Sequence, residues 1–275
     1  MATTMLEKVG KVLQDCQANT FTKHRQTKSS NQLRKLYDAD APAFTEALFA
    51  HVHRLLPVLK REPAVEQLIK LVVGFVTTAS AESEANEFAS VFGGADDVEA
   101  GLDLQLIEHL LAFTGAADKA VRFRACQIIA LTVTTLGEDT EMTDELWGGL
   151  VAHMVTCARD KVAIVREQAV RVFERLLDVN DAEDEVLVEC VRILRSDASA
   201  PVRKAVLGIL GVTKHTLAAV MDACRDVDPS IRKVSAAVYV CVVRLSCGGS
   251  SSVPCVGFSG YRSTGVQCAV AVRSV

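Results

Sequence analysis

Four aliphatic–arginine pairs, Val121-Arg122, Val165-Arg166, Val202-Arg203 and Ile231-Arg232, recur through the second half of the sequence, each preceded by an aspartate: Asp118, Asp160, Asp197 and Asp226. A guanidinium offers five N–H donors in a planar fork that fits a carboxylate or a phosphate, so two uses compete for these residues. One is structural, with the arginine tying neighbouring elements through the preceding aspartate or through open carbonyls. The other is to hold a polyanion. Repetition favours the structural use for Arg122, Arg166, Arg203 and Arg232, whereas Arg124 has no counterpart in the other copies, where Gln168, Ala205 and Val234 stand. Arg124 is therefore expected to be freer for a ligand.

A second group of cations lies at residues 20–35, TFTKHRQTKSSNQLRK, where Lys23, Arg25, Lys28, Arg34 and Lys35 stand without an acid. Neutralising several backbone phosphates is how sequence-independent DNA affinity arises, so this cluster is a candidate phosphate grip, with a solvated turn as the alternative. Lys60 and Arg61 form a smaller group of the same kind on a turn between helices.

No catalytic pattern accompanies these cations. GxxxxGK[ST], CxxC, HExxH and GxSxG are all absent from the sequence. His51 and His53 are two residues apart, which on a helix turns them to different faces, and Cys247, Cys255 and Cys268 are irregularly spaced. The expectation is a protein that is not an enzyme, with no metal, no cofactor and no small-molecule substrate. No apolar run approaches a membrane span: LVVGFV (71–76) and AVYVCVV (237–243) are too short, so no membrane partner is expected. Cys126, Cys157, Cys190 and Cys224 each sit within apolar helical patterns, where free cysteine acts as a small core residue, and an intracellular reduced setting follows.

The elements that would position these residues are helices. Ala, Val and Leu dominate a 275-residue chain that is 49% hydrophobic but only 5% aromatic, which favours stacked helices over a β-sandwich. Val165, Ala169, Val172, Phe173 and Leu176 follow helical spacing after one arginine pair, and Leu146, Trp147, Leu150, Val151, Met154 and Val155 mark the helix before it. Successive pairs lie 44, 37 and 29 residues apart. Two helices per unit near the 40-residue period is the signature of a HEAT or armadillo repeat, here degenerate. An earlier unit spans Pro42 to Thr78, with Pro63 in a first turn. The expected fold is thus all-α, a HEAT/armadillo-type α-solenoid of stacked helix pairs over residues 1–243 with an acidic loop at about 81–101. Residues 244–275, rich in Gly, Ser and Cys, read as a non-helical, unstructured tail of the kind that a gene-model artefact or a truncated isoform ends in.

HRLLPVLKREPAVEQLIKLVVGFV (53–76), AVRFRACQIIALTVTTLGEDTEMTDELWGGL (120–150), DKVAIVREQAVRVFERLLD (160–178) and the stretch 197–240 closely resemble the condensin subunit 3 family, the kleisin-binding HEAT subunits of the G type. The resemblance runs over roughly residues 10–243 and implies the N-terminal portion of a longer protein. It implies a non-enzymatic condensin subunit acting in mitotic chromosome condensation. Its partners would be the kleisin subunit, the SMC ATPase pair and double-stranded DNA, and its place the nucleus and chromosomes, with a cytoplasmic pool. Carried over to matching strings, the basic positions are Lys60, Arg61, Arg122 and Arg124; Lys23 to Lys35 lie in a less similar stretch and rest on charge. The alternative is a protein-only HEAT scaffold or transport adaptor, whose arginine ladder would be purely structural.

Overall fold

The structure is a computed structural model, and it describes residues 4–17, 23–59, 62–89, 101–137 and 140–246. Among these residues the regular secondary structure is helical throughout, in the HEAT-type arrangement of stacked pairs. The chain divides into two compact units, 1–172 and 173–275.

The first unit holds α1 (Met5–Gln17), α2 (Lys23–Ala39), α3 (Ala41–Leu55), α4 (Pro63–Ala89), α5 (Leu102–Leu111), α6 (Lys119–Thr135), α7 (Asp144–Cys157) and most of α8 (Ala163–Leu176). Sequential helices pair, as α5 does with α6. Helices two apart also touch, α1 with α3, α2 with α4, α4 with α6 and α5 with α7, so two layers run through the stack. That pattern follows from the apolar stripes: one helix pair leaves apolar surface that only the next pair can cover. The second unit repeats it with α9 (Glu185–Ser196), α10 (Ala200–Ile209), α11 (Leu217–Ala223) and α12 (Pro229–Ser246), where α9 touches α10 and α11, and α12 touches α10 and α11.

Local chemistry sets the helix starts. Asp40, Asp118, Thr143 and Asp184 cap α3, α6, α7 and α9 by accepting the backbone N–H of Ala43, Ala120, Leu146 and Leu187. Pro63 opens α4, and Pro42 and Pro201 stand in the first turns of α3 and α10, where a missing N–H costs nothing. The periodic residues fill the core: Val165, Ala169, Val172 and Phe173 are fully buried, as are Phe44, Leu48, Ile69 and Phe75.

Two boundaries differ from expectation. The acidic loop does not begin at residue 81, because α4 continues to Ala89. AESEANEFA is rich in Ala and Glu, both strong helix formers, and their propensity extends a helix whose first half is already nucleated by the core. Residues 90–100 of that segment lie outside the described residues. At the other end, α12 runs to Ser246, three residues beyond Val243, and the rest of the Gly/Ser/Cys-rich stretch lies outside the described residues. The stretch Pro63–Ala81 is, by length and composition, apolar enough to cross a membrane, which the short apolar runs of the sequence did not suggest. Here that apolarity faces protein: Val65, Leu68, Leu71, Val72, Val76 and Ala79 are all core residues.

Candidate nucleic-acid interface

The cations at 20–35 are not on a turn. From Lys23 they form α2, a helix that contains no acid before Asp38 in its last turn. Its inner face is fixed by Leu33, fully buried, by Ser29, and by Tyr37, which packs edge-on against Phe44 and Phe75 with centroids 5.6 and 6.3 Å away. Burial of that face turns Thr27, Lys28, Asn31, Gln32 and Lys35 outward, where they line one shallow depression. Spacings of four and three residues put these side chains on one stripe. Neither Lys28 nor Lys35 makes an ion pair among the described residues. The stripe therefore combines two free ammonium groups with amide and hydroxyl donors, a set suited to phosphate oxygens.

Arg34 is placed differently from its neighbours. Its Nε donates to Asp38 at 2.9 Å, and its guanidinium lies 5.8 Å from the Tyr37 ring centroid. Lys23 and Arg25 belong to α2 by sequence, but their side chains, like Lys60 and Arg61, lie outside the described residues.

Arg124 overturns the expectation that it faces a ligand. Its side chain is wholly buried. Nε donates to the Val58 carbonyl at 2.6 Å, and Nη1 donates to Glu66 Oε1 and to Gln127 Oε1, each at 2.6 Å. Gln127 closes the network by donating to Glu66 Oε2 at 2.9 Å. The cation is there to join α6 to the start of α4 and to the turn before it. Because Glu66 lies 58 residues away in sequence, no local pattern announces the pairing.

The arginine ladder has a regular geometry. Arg122 Nε donates to Asp160 Oδ2 at 2.6 Å and Nη2 to Oδ1 at 3.2 Å, while Nη1 donates to the carbonyls of Ala116 and Ala117. Arg203 repeats this with Asp226 at 2.8 and 2.7 Å, and with the Asp197 carbonyl at 2.7 Å. Arg166 donates to the Asp160 carbonyl, and Arg232, which is exposed, donates to the carbonyls of Asp226 and Val227. Each arginine thus closes the turn six residues behind it. Where the side-chain partner is described, it is the aspartate of the following copy rather than the preceding one.

The four aspartates share one local role and divide over another. Asp118, Asp160, Asp197 and Asp226 each accept the N–H two residues on, at 2.7–2.8 Å. Asp160 and Asp226 also take the bidentate arginine. Asp118 does not hold the matching place: it stands four residues before its arginine, the other three stand six before theirs, and Ala116 occupies the equivalent position. Asp118 is accordingly the N-cap of α6, and its assignment as a bridge between repeats is corrected. For Asp226, the Arg203 hydrogen bond outweighs burial and holds the carboxyl below the ordinary carboxylate range. At Asp160 burial pushes upward most strongly, but the Arg122 bond and charge with the Val162 N–H bring the net shift downward.

Two further clusters escaped the sequence reading. His53 Nε2 and His109 Nε2 are 2.7 Å apart, with the His109 ring stacked on Phe49 at 4.5 Å and on His53 at 4.9 Å. His51, on another face as expected, bonds the Leu6 carbonyl at 2.9 Å. Cys126 and Cys157, expected as separate core residues, have their sulfurs 3.5 Å apart. Among the described residues no group of three or more His, Cys, Asp or Glu side chains could hold a metal ion.

No family model matches the chain. Individual proteins do. Condensin complex subunit 3 of Homo sapiens is 30% identical over 197 residues, 71% of this chain and 19% of that protein. The same subunit of Xenopus laevis is 31% identical over 207 residues, 74% of this chain and 19% of the relative. That of Schizosaccharomyces pombe is 35% identical over 138 residues, half of this chain. The chain therefore spans about a fifth of the length of the relatives it matches. Among solved structures, the S. pombe condensin Cnd3–Cnd2 subcomplex superposes with a TM-score of 0.66 at 25% identity, over 86% of this chain and 28% of that one. In sequence and in fold, the chain is a homologue of condensin complex subunit 3.

Proposed function

We propose that this chain serves as a non-enzymatic part of a condensin complex in mitotic chromosome condensation. In this reading it docks on the kleisin subunit beside the SMC ATPase pair and grips the backbone of double-stranded DNA. Its place is then the nucleus and chromosomes, with a cytoplasmic pool. The observation that carries the DNA reading is the outward stripe of α2, where Lys28 and Lys35 flank Asn31 and Gln32. Two ammonium groups on one helical face, with amide donors between them, suit the oxygens of neighbouring phosphates. The kleisin reading rests on the related Cnd3, whose structure was determined in a subcomplex with Cnd2. Lys23, Arg25, Lys60 and Arg61 remain candidates on charge alone; Arg34, tied to Asp38, orders the helix instead.

Contacts confined to phosphates make affinity fall steeply with salt and remain indifferent to sequence. The test is an electrophoretic shift of random-sequence duplex with the intact chain and with Lys28→Glu/Lys35→Glu. The variant should lose the shift while keeping its helical circular dichroism. An unchanged shift at low salt would remove α2 from the interface.

A protein-only scaffold is favoured by one observation: Arg122, Arg124 and Arg203 are bound internally, so much of the cationic inventory is structural. Exposed Val188 on α9 and Leu217 and Met221 on α11 would then be where protein is met. Absence of any duplex shift by the wild-type chain at low salt, together with retained kleisin binding, would select this reading.

A further inference from the structure

Cys126 lies in the middle of α6 and Cys157 is the last residue of α7. They are 0% and 3% exposed, and their sulfurs are 3.5 Å apart. A disulfide needs about 2.05 Å, so closure asks for a movement of about 1.5 Å, within reach of χ1 adjustments in two side chains. The pair is also set in an unusual electrostatic place. Arg122, one turn before Cys126, and Asp160, three residues after Cys157, form the bidentate bridge between the same two elements.

We propose that Cys126 and Cys157 are an oxidisable dithiol, a modification site that a hydroperoxide converts into a disulfide joining α6 to α7. Cys157, at the end of α7 and the less deeply buried of the two, meets the peroxide first. The thiol of Cys126 donates to it, a bond that lowers the Cys157 pKa against the upward push of burial and of the Asp160 charge, with Thr114 and Arg122 adding smaller downward pulls. The same bond, then burial, pushes Cys126 well up. In the first step the Cys157 thiolate displaces hydroxide from the peroxide, giving a sulfenic acid at Cys157; the thiol proton and the hydroxide leave as water. In the second, the Cys126 sulfur attacks the Cys157 sulfur, its proton and the sulfenic hydroxyl leave as a second water, and the disulfide remains. Two electrons pass from the two sulfurs to the peroxide, and the balance closes.

Burial determines which reagent reacts. Hydrogen peroxide is scarcely larger than water, while an alkylating agent must wait for the helices to part. The native dithiol should thus be oxidised by peroxide yet resist iodoacetamide, the reverse of an exposed thiol. In a reducing compartment the bond is reversible by thiol exchange.

The experiment uses the full chain, freed of reductant and treated with hydrogen peroxide, then denatured, alkylated and digested with trypsin. Both cysteines fall in one tryptic peptide, Ala125–Arg159. The expected product is that peptide without carbamidomethyl groups and lighter by two hydrogens, restored to double alkylation by dithiothreitol. Wild-type protein oxidised this way should also melt at a higher temperature than its reduced form, since the crosslink restricts the unfolded chain. The same treatment in urea should lose the selectivity for this pair. Double alkylation after oxidation of the folded chain, sulfinic acid at Cys157 beside a free Cys126, or crosslinks to Cys16, Cys190 or Cys224 instead would each overturn the proposal. Cys126→Ala and Cys157→Ala should each abolish the product, and formation in either would overturn it too.

Discussion

Arg122 reaches across from α6 to the turn after α7 and clasps Asp160 with two hydrogen bonds, while its third donor group closes its own turn at Ala116 and Ala117. Only 9% of the arginine side chain and 11% of the aspartate remain exposed. Such a pair offers little over an apolar pair of equal size but is costly to break in half. Asp160→Ala should therefore lower stability by roughly 3–5 kcal/mol, because it strands a buried guanidinium. Urea denaturation of Asp160→Ala, Arg122→Met and the double variant forms the cycle that checks this. The double variant should lose clearly less than the sum of the singles; simple additivity would mean the two side chains are not coupled.

The repeat itself was legible in the sequence, and so was a structural use for its arginines, each of which closes the turn six residues behind it. The carboxylate partner was not, since Arg122 pairs with Asp160 38 residues on and Arg203 with Asp226 23 residues on. By sequence Asp118 reads as a fourth copy although it stands two residues too close to Arg122, and only the structure shows it as the cap of α6. Helix pairing was legible too, from apolar spacing alone. What could not be read was contact across long separations. Glu66 meets Arg124 and Cys126 meets Cys157 only because stacking brings α4, α6 and α7 together. A lone cation in an apolar run then looks like a ligand site when it is an internal tie. The acidic stretch after residue 81 misled for another reason: charge suggests a loop, but Ala and Glu continue a helix that has already begun.

Arg124 separates stability from binding. Removing it leaves the Val58 carbonyl, Glu66 and Gln127 without their shared donor, in a site with no water-facing side for the guanidinium. Arg124→Ala should cost about 3–5 kcal/mol in denaturant unfolding. At a temperature where Arg124→Gln remains folded, the slope of log affinity for duplex DNA against log salt should match the wild type. The Lys28→Glu/Lys35→Glu slope should be shallower by about 0.9 for each phosphate that the variant no longer neutralises. A shallower slope for Arg124→Gln would put that residue on the DNA after all.

Strong acid should act on the ladder. Asp160 and Asp226 titrate below the ordinary carboxylate range in the folded chain, so the unfolded chain binds their protons more readily. Their contribution is complete above the unfolded carboxylate pKa of about 4 and is lost as pH falls through the folded values. Melting temperature measured from pH 6 down to 2 should fall, and Asp226→Asn should begin lower but fall less steeply. Parallel curves for the two proteins would show that Asp226 is not among the groups driving the loss.

His109 predicts a separate pH effect at milder acidity. Burial, and then the charge of His53, hold its imidazole below the ordinary histidine value. Its ring is pinned between Phe49 and His53, and the 2.7 Å contact between the two Nε2 atoms requires one to donate and the other to accept. Protonating both leaves two donors facing each other. A depressed histidine pKa means that the unfolded chain takes up this proton more readily, so stability is full above the unfolded pKa and declines as pH falls through it. Between pH 8 and 5 the wild type should therefore lose stability to urea, with loosening centred where α3 meets α5. His109→Gln keeps a donor and an acceptor for His53 but cannot take the second proton, so its stability should change less over the same interval. Hydrogen exchange of the α3 and α5 amides, followed across that range, locates the effect. Acid-induced exchange at α3 and α5 that is unchanged by His109→Gln would assign the sensitivity to other groups.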